Sequence, residues 1–197
     1  MIKTQPVKAS GAEAVGSLVE AGSLVNNQGG AGGVYTVECY DADGNLKWSE
    51  AMHNLVVNVG LKDMNDKYFT GSSYTAAWYL GLVTGPGAGN TYAAADTMAS
   101  HGGWTENTAY SQATRPAATF AAATTADPSV ITNSASVAVF SISGTATIAG
   151  AFLTSDNTKG GTTGVLFSVA NFQAPGDRAV VSGDTLNVTY TFSLDAA

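Results

Sequence analysis

The sequence predicts a mainly β protein: an antiparallel β-sandwich or jelly roll with one short helix and an extended N-terminal arm. Three features support this prediction. Short runs of alternating apolar and polar residues are separated by turn-forming residues, one amphipathic run covers about 58–69, and the opening segment is rich in glycine and lacks aromatic residues. The 197 residues suit one large domain. We divide the chain into an arm, residues 1–33, and a β-domain, residues 34–197.

The composition combines an ample apolar fraction with unusually little charge. Apolar residues make up 45% of the chain, which is enough for a substantial core. Charged residues make up 12%, about half of the roughly 25% usual in soluble domains. Because surface charge keeps free monomers apart, we favour a surface partly covered by other protein chains. The alternative is a secreted β-protein with an uncharged polar surface.

The charge balance excludes several classes of function. The net charge is −7, and the 8 lysines and arginines are scattered singly, so we expect no binding to nucleic acid, which requires a basic stripe. Cys39 is the single cysteine, which rules out an intrachain disulfide. The first residues lack the apolar core of a signal peptide, and no apolar run is long enough to span a bilayer. We therefore expect folding in a reducing cytosol and no membrane contact.

The arm contains a short internal repeat. Residues 16–19 and 22–25 both read Gly-Ser-Leu-Val, and positions six apart lie on one face of an extended chain. We predict that five apolar side chains of the arm dock on a neighbouring subunit: Val15, Leu18, Val19, Leu24 and Val25. The alternatives are a mobile tail or a short helix over 12–20.

The β-domain opens with a hairpin. Strands are predicted over 34–40 and 46–52, with Asp43 and Gly44 reversing the chain between them. The nearby acidic residues invite a calcium interpretation. A calcium loop of the EF-hand type needs glycine at its sixth position and glutamate at its twelfth. Counting from Asp41, Gly44 is fourth and Met52 is twelfth, so we interpret the segment as a turn.

The helix is predicted from a change of period after the hairpin. Apolar residues recur at Val57, Leu61, Met64 and Tyr68, with charged and amide residues between them. This spacing places them on one face of a helix over about 58–69. Asn58 is the expected N-cap, because its side chain can accept a bond from a free backbone N–H.

The rest of the chain is predicted to be β-rich. A strand over 76–83 leads into a long loop over 84–105 that contains His101-Gly102-Gly103-Trp104. The further strands are expected at 109–111, 118–123, 136–142, 145–153, 165–172 and 185–194. In the last of these, Leu186, Val188, Tyr190, Phe192 and Leu194 should share one face.

One segment of the β-rich part contains no charge. Between Asp127 and Asp156 there are 28 consecutive uncharged residues. One explanation is a pair of central strands with a hydroxyl-rich outer face. The other is an outer face packed against another subunit, and the sequence does not separate the two.

A search for catalytic motifs finds none. The chain has no HExxH, CxxC or GxSxG pattern, and the run TKGGTTG (158–164) has its lysine before its glycines, unlike a phosphate-binding loop. His53 and His101 would need further zinc ligands, and Cys39 is expected to be buried. Acidic pairs that meet only in the fold remain open, and we name none. We therefore expect no catalytic residue, no metal and no cofactor.

His53 is the residue that most invites a functional role. It stands between a predicted strand and the predicted helix, where a catalytic base or a metal ligand would attract attention. We interpret it as a corner residue whose ring binds a backbone group, next to the turn-former Asn54.

The order of segments resembles a known family. The segments concerned are YDADGNLKWSEAMHNLVVNVGLKDMNDKYFTG, WYLGLV, DTMASHGGWTENTAYSQATRP, SISGTATIAGAFLTSDNTKGGTTGVLFSVANF and SGDTLNVTYTFSL. Over about 34–197 they resemble structural proteins of tailed bacteriophages, with HNLVVN, SHGGWTE and GTATIAGAFL as the most specific parts. The arm lies outside the resemblance.

The resemblance implies a non-enzymatic virion component, most like a capsid cement or decoration protein. Its implied partners are the major capsid protein and itself, as a homotrimer, and its implied location is the capsid exterior at capsomer junctions. The competing function is a tail fibre or receptor-binding β-domain, for which Trp78, Trp104 and Tyr110 would offer aromatic faces to host glycans. An enzyme such as a tail depolymerase is the third possibility.

Overall fold

Two antiparallel sheets packed face to face form the protein. The computed structural model describes residues 30–172 and 176–195. Its elements, in chain order, are β1 (Ala31–Tyr40), β2 (Leu46–His53), β3 (Leu55–Val56), α1 (Asn58–Phe69), β4 (Tyr79–Thr84), a 3₁₀ turn (Gly87–Gly89), β5 (Glu106–Asn107), β6 (Ser129–Thr132), β7 (Ala138–Ser141), β8 (Ala146–Thr154), β9 (Leu166–Asn171), β10 (Arg178–Val180) and β11 (Thr185–Leu194). The predicted mainly β sandwich with one short helix is confirmed for this part of the chain.

The strand order separates the two sheets clearly. The first sheet has the order β2-β1-β11-β6, with β7 also paired to β11. The second has the order β3-β9-β8-β4-β5, with β10 also paired to β8. The core lies between them, and the alternation of β11 is as predicted: Leu186, Val188, Tyr190 and Phe192 are buried, while Leu194 at the strand end is 42% exposed.

The first hairpin is confirmed, with one corrected boundary. β1 begins at Ala31 rather than at residue 34, because residues 31–33 pair with the end of β11. The turn is closed by its own side chain: the Asp41 carboxylate accepts the N–H groups of Asp43 at 3.0 Å and Asn45 at 2.8 Å. The bonds from Asn45 are the main reason that the pKa of Asp41 is lowered. Gly44 adopts φ +84°, which glycine favours.

The uncharged segment contains one buried central strand, β8. Every residue of β8 from Ile148 to Thr154 is buried. Its inner face meets the first sheet, and its outer face meets a second apolar cluster that contains Met98 and Trp104 from the long loop. The outer face of β8 is therefore covered by the protein's own loop rather than by exposed hydroxyls or another subunit. Among the described strands β7 pairs with β11 alone and exposes Val139, so the expected pair of central strands is not found.

The helix has the predicted bounds but a different N-cap residue. Val57, not Asn58, holds the N-cap position, and no side chain caps the helix. The N–H of Asn58 instead binds the carbonyl of Ala94 at 2.8 Å, so the covering loop satisfies a group that a side-chain cap would otherwise satisfy. Gly60 lets the helix lie directly on β9, since an added Cβ would come within 2.6 Å of the Phe167 carbonyl oxygen. The expected apolar face ends early, because Tyr68 is 81% exposed.

Several short strands differ from the prediction. β4 begins at Tyr79 rather than at residue 76, and β6 and β10 were not predicted. The strands expected at 109–111 and 118–123 do not form. In the second of these segments the N–H of Ala118 binds Trp78 and the N–H of Ala121 binds Thr132. Its successive bonds therefore go to different partners, and no continuous ladder builds up.

Asn54, rather than His53, fixes the corner between β2 and α1. The Asn54 side chain accepts the N–H of Gly33 at 2.7 Å and donates to the Tyr190 hydroxyl at 2.7 Å. The Tyr190 hydroxyl lies 3.3 Å from that of Ser168, which is 2.6 Å from the Tyr35 hydroxyl. This polar chain joins the two sheets inside the core, and burial raises the pKa of both tyrosines. His53 is exposed, and no hydrogen bond of its ring is found within the described ranges. The predicted role of His53 is therefore wrong.

We expect Asn54→Ala to lower the free energy of unfolding by about 2 kcal/mol, since it leaves a backbone N–H and a buried hydroxyl without their partner. His53→Ala, one residue away, is the matched control and should change it by less than about 0.5 kcal/mol. Urea unfolding followed by far-UV circular dichroism measures both. Equal losses for the two variants would contradict the assignment of the corner to Asn54.

Candidate binding surface

An apolar groove opens at one end of the sandwich, beside α1. Its volume is about 320 Å³. The lining residues are Asp63, Met64, Lys67, Tyr68, Tyr74, Trp78, Phe120, Ile131, Leu153, Phe167, Tyr190 and Phe192. Side chains from both sheets and from the helix contribute, so the groove is the place where the interior of the sandwich remains open to solvent.

Ring contacts fix the floor of the groove. Phe167 on the second sheet meets Phe192 on the first, with ring centroids 5.3 Å apart at 80°. Trp78 packs against the other side of Phe167 at 5.5 Å and 70°. Phe120 meets the ring of Tyr190 at 6.2 Å. Such edge-to-face pairs add about 0.5–1.5 kcal/mol each beyond their burial, and the floor is therefore preformed.

Three exposed aromatic side chains stand beside the groove, and we name them the aromatic rim: Tyr68, Phe69 and Tyr74. Their exposed fractions are 81%, 77% and 52%. Tyr68 and Phe69 pack on each other at 4.8 Å and 83° at the end of α1. Neither adds buried area to the sandwich. The rim therefore leaves aromatic surface open to solvent.

Lys67 holds the loop after α1 against the groove. Its ammonium donates to the carbonyl of Ser73 at 3.1 Å and lies 5.7 Å from the ring centre of Tyr74. It also lies 3.7 Å from the carboxylate of Asp63, one helical turn earlier. The Trp78 indole N–H then donates to the Tyr74 hydroxyl at 2.7 Å. The polar groups of Asp63, Lys67, Tyr74 and Trp78 are therefore bonded within the chain.

The chemistry of the groove suits an apolar partner. Small-molecule sites combine an apolar lining with a few polar groups aimed at the ligand. Here Asp63 and Lys67 pair with each other, and the Tyr190 hydroxyl is bound by Asn54. The remaining lining is aromatic and aliphatic. The groove can therefore take up aliphatic or aromatic side chains of a protein partner.

A second cluster surrounds the buried Arg115, on the outer face of the second sheet. Arg115 is 1% exposed. Its Nε and Nη2 donate to the two oxygens of Glu106 at 3.0 and 2.8 Å. Nη1 binds the Asp156 carbonyl and Nη2 the Gly161 carbonyl, both at 2.8 Å. The guanidinium also lies 5.3 Å from the ring centre of Phe152. One side chain thus ties its own loop and the loop between β8 and β9 to the sheet.

The charged groups of this cluster are bonded within the chain. The Glu106 carboxylate accepts two bonds from Arg115 and a third from the N–H of Gly160 at 2.8 Å, so it is not available as a base. Lys159 of the glycine-rich run donates to the carbonyls of Tyr110 and Gln112 at 3.0 and 2.7 Å. The bonds of Thr158 hold the pKa of Asp156 below its usual value. The run TKGGTTG is therefore a brace for neighbouring loops.

The histidines do not form a metal or catalytic site. The His101 ring stacks on Trp104 at 4.0 Å, and its Nδ1 lies 3.0 Å from the Trp104 carbonyl. His53 is exposed on β2. No group of three histidine, cysteine or acidic residues that could hold a metal occurs in the described residues. Cys39 is buried, as predicted, and burial raises the pKa of its thiol to about 11.

The sites proposed from sequence are only partly brought together. The five arm residues, Val15, Leu18, Val19, Leu24 and Val25, lie outside the described residues. Of the three aromatics considered for glycans, Trp104 and Tyr110 are 3% and 2% exposed, so neither offers a free face. Burial also raises the pKa of Tyr110. Of the three, only Trp78 is partly exposed, at the groove.

Sequence reasoning missed the aromatic rim, although a signal was present. Tyr68, Phe69, Tyr74 and Trp78 fall within 11 residues, at and just after the end of the predicted helix. Its spacing places Tyr68 on the buried face of α1, but the side chain is 81% exposed.

Comparison of the chain with protein-family models, with curated proteins and with solved structures finds no match. Within the described part of the chain, no helix has the length and apolarity needed to cross a lipid bilayer.

We expect Arg115→Ala to lower the free energy of unfolding by about 3–5 kcal/mol, because it leaves the Glu106 carboxylate buried without its partner. The control is Lys62→Ala, which removes an exposed ion pair with Asp66 on α1 and should cost less than about 0.5 kcal/mol. Equilibrium unfolding in urea measures both. A loss below about 1 kcal/mol for Arg115→Ala would contradict the bracing role.

Proposed function

We propose that the protein is a non-enzymatic structural component of a tailed-bacteriophage virion that binds the capsid shell at capsomer junctions and stabilises it. The observation that carries the proposal is the aromatic rim of Tyr68, Phe69 and Tyr74, which leaves apolar surface free for another protein. Tyrosine and phenylalanine are enriched in the cores of protein interfaces. The resemblance of the sequence segments supplies the virion context.

The charge and chemistry of the chain support a binding role. Charged residues make up 12% of the sequence, which suits a protein whose surface is partly covered in a lattice. The lysine of the glycine-rich run TKGGTTG, which was compared with a phosphate-binding loop, donates to two backbone carbonyls instead. The proposal therefore assigns the protein a partner rather than a substrate.

The proposed mechanism is mass action. A protein that binds the assembled shell, but not the separated capsid subunits, stabilises the shell in proportion to its occupancy. The proposed partners are the major capsid protein and two further copies of this chain in a homotrimer. Linking three copies adds avidity, since the second and third contacts form at high effective concentration.

A tail fibre or receptor-binding domain is the competing proposal. The groove is the place for a glycan in that case, with Trp78 as the stacking side chain. The polar groups of its rim, Lys67 and the Tyr74 hydroxyl, are already bonded within the chain. Sugar recognition requires polar groups that remain free to bind hydroxyls, so we favour the shell.

Immunogold electron microscopy of purified virus particles, with antibody raised against the folded protein, tests the location. We expect label over the whole head, because a protein at capsomer junctions is present at every symmetry-related position. Label confined to the tail would replace the proposal with its competitor. Absence of label from both head and tail would contradict a position on the virion exterior.

Tyr68→Ser/Phe69→Ser should weaken attachment to shells that lack the protein by at least about 30-fold, the effect of losing about 2 kcal/mol at an interface hot spot. Both side chains are exposed, so the unfolding midpoint should hardly change. The matched control is Val139→Ser/Val181→Ser, which removes two other exposed apolar side chains, 39% and 46% exposed. Co-sedimentation of protein with shells gives the affinities. Unchanged binding of the rim variant would contradict the role of the rim.

A further inference from the structure

The groove lies at the end of the sandwich where the chain enters β1. Ala31 pairs with Leu194, and Gly33 pairs with Phe192, which lines the groove. Neighbouring strands are about 4.8 Å apart, so the start of β1 is one strand away from the groove wall. Ala31 packs against the same apolar cluster that the groove exposes. Chain that precedes Ala31 therefore begins beside the opening.

The preceding segment has the length to reach and fill the groove. Residues 1–29 come before the described part of the chain. Leu24 stands seven residues before Ala31, a span of up to about 25 Å at 3.3–3.6 Å per residue. Leu18 and Leu24 are six residues apart and share one face of an extended chain. Two leucine side chains on one face match an aromatic floor that has no free polar group aimed at it.

We propose that the arm segment 15–25 binds in the groove of its own chain, with the side chains of Leu18 and Leu24 directed at the floor. This occupant differs from the neighbouring subunit expected from sequence alone. The reason is proximity: a segment tethered a few residues from its site acts at an effective concentration in the millimolar range. The proposal does not depend on a role in a virion.

The arm then completes the core. The open ring faces of Trp78 and Phe120 lose their contact with water, which is favourable at about 25 cal/mol per Å² of apolar surface. The groove closes at the side of Trp78, while Phe69 of the aromatic rim, which does not line it, stays free. The arm covers the floor, whereas an external partner is left Phe69 and the exposed parts of Tyr68 and Tyr74, the two rim residues that also line the groove.

Cross-linking of the full-length chain tests the proposal. The variant Ser23→Cys/Ser73→Cys keeps both leucines and places one thiol on the arm, beside Leu24, and one on the exposed residue next to Tyr74 at the groove. The control Ser23→Cys/Ser182→Cys uses a second exposed serine, which precedes β11 and so lies at the other end of a strand of 10 residues. Cys39 is buried and should not react. A short bis-maleimide is the cross-linker, and mass spectrometry identifies the products.

We expect the Ser73→Cys pair to cross-link within one chain at least about tenfold faster than the Ser182→Cys pair, given the difference in effective concentration. Equal rates would overturn the proposal. A mixture of the Ser23→Cys and Ser73→Cys single variants separates the two sources of an arm. If cross-linked dimers form there as fast as the product within the double variant, the occupant is the arm of a second copy, and the assignment to the same chain is wrong.

Discussion

Burial of both faces of the second sheet is the constraint on which the rest of the structure depends. A sheet in a simple sandwich has one face in the core and one in water. Here β8 is covered on the inside by the first sheet and on the outside by the long loop that carries Met98 and Trp104. The covering layer has little regular structure, so its backbone groups need partners other than a ladder. The N–H of Asn58 and the carbonyl of Ala94 illustrate how loop and helix satisfy each other.

The buried Arg115 braces the loop between β8 and β9 against the same sheet. This loop is rich in glycine and has few side chains with which to anchor itself, whereas a planar guanidinium offers five donors in fixed directions. Four bonds join Arg115 to the Glu106 carboxylate and to the carbonyls of Asp156 and Gly161. These bonds offset the cost of removing the charge from water. Close packing explains one glycine in each of the runs HGGW and TKGGTTG, since an added Cβ at Gly103 or Gly161 would come within 3.0 Å of other atoms.

Local patterns made most of the fold predictable, and non-local pairing limited the rest. The alternation of β11 and the period of α1 are properties of continuous segments, and both were predicted with the right bounds. β6 is a run of four residues whose partner, β11, lies about 60 residues away, and nothing in its own sequence identifies that partner. The sequence predicts the corner between β2 and α1 to within one residue. The choice between His53 and Asn54 depends on where Gly33 and Tyr190 lie in the fold, which the local sequence does not show. The groove could not be predicted, because its lining comes from both sheets, the helix and two loops.

The groove and the aromatic rim are adjacent parts of one apolar surface. A sandwich of this kind closes its core at each end with loops, and at the end near β1 the closure is incomplete, so Trp78, Phe120 and Phe192 still line an opening. Water in contact with these rings disfavours the open state, and the nearest apolar chain is the segment that leads into β1. The rim extends beyond the opening: Tyr68 and Tyr74 line its edge, whereas Phe69 is 77% exposed and does not line it. An arm in the groove therefore leaves Phe69 free, and for this reason we propose the groove for the chain itself and the rim for a partner.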